Sequence, residues 1–148
     1  MSTRTPNRTI AAITLALCAA CSVGLEKVPE ADVDAAQRAA AQRIATRIYE
    51  GCKTGQHDAL GDEAIPEMRE ALSPDRQKST CQSVATVFGD YVSMDYAETW
   101  KSKMTSLRVY RFKGHFSKGS TTPEIRVVMD GSNKLSGFWL KPWTDTPQ

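Results

Sequence analysis

Glu98 is the side chain whose neighbours best fit general acid–base chemistry. Tyr96 and Trp100 flank it at a spacing of two, which in a β-strand would place all three on one face. A carboxylate in an aromatic pocket can have a raised pKa and act as a catalytic acid or base. The alternatives are that Glu98 lies solvated at a sheet edge, or that the strand register differs by one residue. His115 and Asp130 are also available, but a surface or turn position accounts for each.

The sequence lacks the patterns of common catalytic and cofactor sites. It contains no nucleophile elbow, no glycine-rich phosphate loop and no metal-ligand spacing. Two histidines and four cysteines are too few and too scattered for a zinc cluster. We therefore expect no metal, no cofactor and no nucleic-acid partner. We also predict that the protein is not an enzyme, because Glu98 has no second polar group with which to form an acid–base pair.

The N-terminal residues have the layout of a targeting segment. Residues 1–9 carry Arg4 and Arg8 and no acid, and residues 10–20 form an apolar run of eleven residues. A basic start, a short apolar run and a small-residue exit are typical of a secretory signal peptide. A buried helix is disfavoured, because the run has no polar face and no cap. We predict a signal peptide over residues 1–20.

The end of this segment resembles a bacterial lipoprotein signal. That signal ends with an aliphatic residue, two small residues and a cysteine, and the matching residues are Cys18-Ala19-Ala20-Cys21. Ala19 and Ala20 fit the pattern, and Cys18 stands where leucine is usual. The rival set that ends at Cys18 fits less well, because bulky Leu17 stands where a small residue is needed.

The resemblance implies that Cys21 is the first mature residue and carries a thioether diacylglycerol and an acylated amine. Such chains anchor a protein strongly to a membrane. Ser22 follows Cys21, which by analogy implies the outer membrane of a bacterial envelope, with the protein facing the periplasm. The alternative is simple cleavage near Ala20, which would give a soluble periplasmic or secreted protein.

Cys52 and Cys81 are the remaining thiols of the predicted mature chain. Export to an oxidising compartment makes a Cys52–Cys81 disulfide the simplest prediction. Two free buried cysteines would be expected in a cytosolic protein instead. A catalytic cysteine–histidine pair is a third, weaker reading, because His57 and His115 lie in no recognisable nucleophile context.

Charge is distributed unevenly along the mature chain. Residues 22–98 carry six more acidic than basic residues, and residues 99–148 carry six more basic than acidic ones. In the basic part, alternation predicts a positive outer face of the sheet formed by Lys101, Lys103, Arg111 and Lys113. This face could attract an anionic partner, or it could be a solvated face balanced by the acidic helices.

The first part of the mature chain has helical periodicity. Apolar residues at spacings of three and four predict a long helix that begins near Pro29 and ends at Gly51. Short helical pieces follow over residues 55–72. Ser73 and Pro74 then begin another helix, which ends at Gly89.

After Gly89 the period of the apolar residues changes to two. Strands are predicted over residues 94–103, 107–116, 124–130 and 135–141, with turn-like connections that favour an antiparallel order. The expected fold class is α+β, with N-terminal helices packed on a curved antiparallel sheet of about four strands. The expected organisation is a lipidated tether at 21–30, one domain at 31–143 and a loose tail at 144–148.

This order of elements resembles the cone-shaped nuclear transport factor two and ketosteroid isomerase superfamily, and within it the small secreted or lipoprotein domains. The residues that carry the resemblance are Gly-Gln-His-Asp-Ala-Leu from Gly55, Leu-Ser-Pro from Leu72, Val-Phe-Gly-Asp from Val87 and Lys-Leu-Ser-Gly-Phe-Trp-Leu-Lys-Pro from Lys134. The superfamily includes both enzymes and binding modules, so the resemblance alone implies no single activity.

Three functional hypotheses follow. The first is an envelope-anchored, non-catalytic binding or accessory lipoprotein, whose partner is an envelope protein, a cell-wall polymer or a small ligand. The second is an immunity or inhibitor lipoprotein that blocks a secreted toxin or hydrolase. The third is a small cone-fold enzyme that uses Glu98 in an interior pocket.

Overall fold

The computed structural model describes residues 24–147, so the predicted signal peptide at 1–20 and the predicted lipidation site Cys21 lie outside the described residues. The elements are β1 (Leu25–Val28), α1 (Ala35–Thr54), α2 (Pro66–Ala71), α3 (Pro74–Phe88), β2 (Tyr91–Ser102), β3 (Arg108–Phe116), β4 (Pro123–Met129) and β5 (Leu135–Pro142), with a short 3-10 turn at Glu30–Asp32 between β1 and α1.

The strands form one antiparallel sheet in the sequential order β1-β2-β3-β4-β5. The α+β class and the antiparallel sheet are therefore confirmed, but the expected strand number of about four is wrong. The fifth strand is β1, which lies within the residues assigned to the tether at 21–30. It was missed because four residues are too few to show alternation, and its position depends on pairing with the far end of β2, from Leu25 opposite Ser102 to Val28 opposite Thr99.

Helix α1 begins and ends later than its apolar spacing indicates. The Asp34 side chain accepts a hydrogen bond from the Gln37 backbone N–H at 2.9 Å, which caps the first turn. The helix continues through Gly51 to Thr54, and it is followed by Gly55, whose φ of 76° is the left-handed conformation that glycine adopts readily. By contrast, Ser73, Pro74 and Gly89 bound α3 as predicted.

The hydrophobic core lies between α1 and the face of the sheet that we call the inner face. Ile44 and Ile48 of α1 are almost fully buried against this face, and burying each isoleucine contributes roughly 1.5–3 kcal/mol. The buried core residues of the sheet are Tyr91, Met94, Tyr110, Phe112, Phe116, Ile125, Val127, Met129 and Leu135.

A β-bulge at Ala97 reverses which side chains of β2 point toward the helices and which point away from them. Tyr96 pairs with Phe112 on the inner face, whereas Glu98 pairs with Arg111 on the opposite, outer face. Ala97 is the extra residue between these pairs, so the side-chain alternation shifts by one position beyond it. Tyr96 therefore does not share a face with Glu98 and Trp100, contrary to the expected spacing.

The residues after β5 lie across the outer face. The Arg111 guanidinium donates a hydrogen bond to the backbone oxygen of Thr144, and the Trp143 ring centroid lies 4.1 Å from the Arg111 Cζ atom. Pro147 is buried. Within the described part of the predicted tail, Thr144 therefore contacts the outer face, whereas Asp145 and Thr146 are exposed.

Candidate functional site

An apolar cavity of about 410 Å³ lies between the three helices and the edge strand β5. Its volume falls in the range typical of small-molecule sites. The lining residues are Ile48, Tyr49 and Cys52 of α1; Met68, Ala71 and Leu72 in and after α2; Gln77, Thr80, Cys81 and Val84 of α3; and Phe138, Trp139 and Leu140 of β5.

The cavity wall includes the disulfide between Cys52 and Cys81. This is the disulfide predicted from the sequence, and the two Cα atoms lie 5.1 Å apart. Cys52 lies in the last turns of α1 and Cys81 in the middle of α3. The bond therefore holds α3 beside the end of α1 and fixes the distance across one side of the cavity.

Gln77 supplies the most firmly oriented polar group of the lining. Its side-chain amide nitrogen donates to the backbone oxygens of Asp58 at 2.8 Å and of Leu72 at 2.7 Å. Because both acceptors are carbonyl oxygens, they fix which end of the amide carries the nitrogen. No hydrogen bond from residues 24–147 to the Gln77 amide oxygen is present in the structure, so this oxygen is available as an acceptor for a ligand donor.

The lining favours binding of an uncharged, apolar molecule. None of the thirteen lining residues bears a carboxylate, an amine, a guanidinium or an imidazole. Burial, with a smaller effect of Tyr91, raises the pKa of Tyr49 well above its ordinary value of 10.0, so its hydroxyl stays protonated. A ligand in the cavity would gain free energy from burial of apolar surface and could donate one hydrogen bond to Gln77.

Glu98 lies on the outer face and forms ion pairs. Its carboxylate accepts hydrogen bonds from the Trp100 indole N–H at 2.8 Å and from the Arg111 guanidinium, and lies 2.7 Å from the Lys27 ammonium. Burial opposes ionisation, but Lys27, Trp100 and Arg111 together outweigh it and hold the pKa of Glu98 below its ordinary value of 4.5. This shift is opposite to the raised pKa that the catalytic hypothesis requires.

Arg111 is fully buried at the centre of the outer face. It donates to Glu124 at 2.9 Å, and Glu124 in turn accepts hydrogen bonds from Arg126 at 2.6 and 3.2 Å. Burial raises the pKa of Glu124, but its hydrogen bonds with Arg111 and Arg126 outweigh that effect and lower the pKa overall. We call Lys27, Glu98, Arg111, Glu124 and Arg126 the outer-face ion network.

The four residues of the predicted basic face do not lie together. Arg111 is buried in the ion network, and Lys113 is exposed on the same outer face, 5.0 Å from the Trp143 ring centroid. Lys101 lies on the inner side, because the bulge at Ala97 shifts the alternation, and its ammonium is 2.8 Å from the Glu26 carboxylate. Lys103 follows the end of β2, so the prediction of one basic face is wrong.

The remaining candidate residues have structural contacts. The His115 Nε2 atom lies 2.7 Å from an Asp95 carboxylate oxygen on the sheet surface. Asp130 accepts hydrogen bonds from the backbone N–H groups of Ser132 and Lys134 in the turn between β4 and β5. Both positions agree with the surface and turn locations that the sequence suggested.

The cavity is not among the features predicted from the sequence, although one residue, Gln77, is a signal for it. Gln77 precedes Cys81 by four residues and Val84 by seven, so it lies on the same face of α3. A polar residue on an otherwise apolar helix face needs a partner or a ligand. The cavity depends on the relative positions of three helices and β5, which the periodicity of one element does not determine.

Within residues 24–147 no group of three or more His, Cys, Asp or Glu side chains is placed to hold a metal ion. No helix in this part of the chain has the length and apolarity needed to cross a membrane. No family model matches the chain, no curated protein matches its sequence, and no solved structure matches its fold.

Proposed function

We propose that this protein is an envelope-anchored, non-catalytic binding lipoprotein that takes up an apolar small molecule between its helices and β5. The observation that carries the proposal is the cavity of about 410 Å³ with an uncharged lining. Binding modules commonly combine such an apolar cavity with a few oriented polar groups, and here Gln77 supplies one.

The position of Glu98 also supports a binding function over an enzymatic one. Glu98 is neutralised by Lys27 and Arg111 on the outer face, whereas the cavity lies on the inner side of the sheet. A general acid or base must reach the reacting atoms of its substrate. A molecule bound in the cavity would be separated from Glu98 by the sheet itself.

The anchoring part of the proposal rests on Cys21 and on the resemblance of residues 18–21 to a lipoprotein signal. Its test is metabolic labelling of bacterial cells with a clickable fatty acid. The native chain should take up label and sediment with membranes, and Cys21→Ala should do neither. A native chain without label that is recovered in the soluble periplasmic fraction would contradict lipidation.

The cavity is tested by titrating the purified mature protein with 1-N-phenylnaphthylamine, whose fluorescence rises in apolar surroundings. We expect saturable binding of one probe per chain. Ala71→Phe should weaken it by filling the cavity, whereas Ala39→Phe, on an exposed part of α1, is the matched control. No saturable binding by the native protein, or equal affinities in the two variants, would contradict the proposal.

A further inference from the structure

The tip of the hairpin between β2 and β3 presents an exposed apolar side chain among cations. We call residues 103–107 the hairpin tip. The Met104 side chain is 79% exposed, more than Val87, Val92 or Trp139, which are the other exposed large hydrophobic residues described. Lys103 precedes Met104 within the tip, and Arg108 follows the tip at the start of β3.

The hairpin tip lies beside the point where the described chain begins. The Lys103 backbone N–H donates to the Gly24 backbone oxygen at 2.6 Å. The Met104 Cγ atom lies 3.8 Å from the position that a Cβ atom at Gly24 would occupy. Three residues of chain, in any conformation, span at most about 11 Å. Cys21 precedes Gly24 by three residues in the sequence.

We infer that the hairpin tip is a membrane-contact element, in which Met104 enters the interfacial region of the bilayer and Lys103 faces anionic lipid headgroups. The inference rests on the proposed lipidation of Cys21, because acyl chains there hold Gly24 and the adjacent tip at the membrane surface. A flexible apolar side chain beside basic ones is suited to that boundary. Lys101 and Arg108 contribute less charge, because Glu26 lies 2.8 Å from the Lys101 ammonium and the Arg108 side chain contacts Tyr110 on the inner face.

This orientation would leave the cavity open to its ligand. Gln37 near the start of α1 donates to the Asp130 backbone oxygen and the Asn133 side chain in the β4–β5 turn, at the same end of the sheet as the hairpin tip. The α1 residues that line the cavity lie near the other end of that helix, beside the edge strand β5. The membrane would therefore contact the end of the domain away from the cavity.

The test uses a spin label at the tip of the lipidated, disulfide-bonded mature chain. With Cys21 acylated and Cys52 bonded to Cys81, Met104→Cys supplies the single reactive thiol. Val87→Cys is the matched control, because Val87 is also exposed and adjoins Phe88, whose backbone oxygen accepts from Lys118 at the opposite end of β3. Each labelled protein is reconstituted in vesicles of phosphatidylethanolamine and phosphatidylglycerol, and acylation is verified by mass spectrometry.

The label at position 104 should collide severalfold less often with a water-soluble nickel chelate, and more often with oxygen, than the label at position 87. Equal exposure of both labels to the chelate on an acylated protein would overturn this inference and leave the lipoprotein proposal standing. A mass spectrum with no acyl group on Cys21 would overturn both. The two failures are therefore distinguishable.

Discussion

Arg111 and Glu124 form a fully buried ion pair on the side of the sheet that faces away from the helices, with 2.9 Å between the guanidinium nitrogen and the carboxylate oxygen. The second guanidinium nitrogen contacts Glu98, and the Trp143 ring covers the group. Two charges can be kept out of water only if each retains its partners. The residues after β5 therefore cover the outer face, and the side chains that they shield from water there are charged rather than apolar.

Removal of one member of this pair should destabilise the fold strongly. Glu124→Ala leaves the Arg111 guanidinium buried with one carboxylate fewer, and breaking a buried pair costs about 3–5 kcal/mol. The measurement is the free energy of unfolding from urea denaturation. Glu26→Ala, which removes an exposed pair with Lys101, is the control and should cost far less, because water screens that pair. Similar losses in the two variants would show that the Arg111–Glu124 pair is not buried in solution.

Stability should fall as the pH drops below about 4.5, the ordinary glutamate value. Glu98 and Glu124 both have lowered pKa values in the folded state, so the unfolded chain binds their protons first. Their contribution is therefore present above pH 4.5 and is lost as the pH falls through the folded-state values. Urea denaturation at a series of pH values measures this loss.

Glu98→Gln separates the contribution of one carboxylate to this pH dependence. Glu98 is 12% exposed and accepts charge-assisted hydrogen bonds, so the variant should lose about 1.5–3 kcal/mol at neutral pH. The difference from the native protein should shrink in acid, because protonated Glu98 also carries no charge. Glu67→Gln, on an exposed turn of α2, is the control. A difference for Glu98→Gln that stays constant with pH would contradict the assigned ionisation.

The elements of the fold were largely predictable because each depends on local pattern. The apolar spacing of Ile44 and Ile48 indicates a helix, and Pro74 and Gly89 mark the ends of α3. By contrast, β1 is too short to show a pattern, and its strand conformation depends on pairing with β2. Its assignment requires tertiary contacts that no local window contains.

The faces of the sheet were less predictable, because one residue decides them. Without the bulge at Ala97, strict alternation from Asp95 would place Thr99 and Lys101 on the outer face. With the bulge, Thr99 is buried on the inner face and Glu98 reaches Arg111. Nothing in the composition of β2 identifies Ala97 as the extra residue. The predicted basic face and the predicted position of Glu98 beside Tyr96 are therefore wrong for the same reason.

The Cys52–Cys81 disulfide should be required for both stability and probe binding. The bond joins residues 29 positions apart, and in the chain-entropy model a loop of this length contributes about 3–4 kcal/mol. The paired variant Cys52→Ala/Cys81→Ala should lose most of this free energy, and its affinity for 1-N-phenylnaphthylamine should fall because α3 is no longer held beside α1. Alkylation of both thiols in the native protein without reductant, detected by mass spectrometry, would exclude the bond.

Trp143 should stabilise the protein more than Trp139 does, although both are indoles on the outer face near the end of the chain. The Trp143 ring lies 4.1 Å from the Arg111 Cζ atom and shields the ion network from water, whereas Trp139 is 51% exposed. Loss of a desolvated cation–π contact costs about 2 kcal/mol, so Trp143→Ala should lower the free energy of unfolding by at least that amount. Trp139→Ala is the matched control and should lower it less. Equal urea midpoints for the two variants would mean that the tail does not cover the outer face in solution.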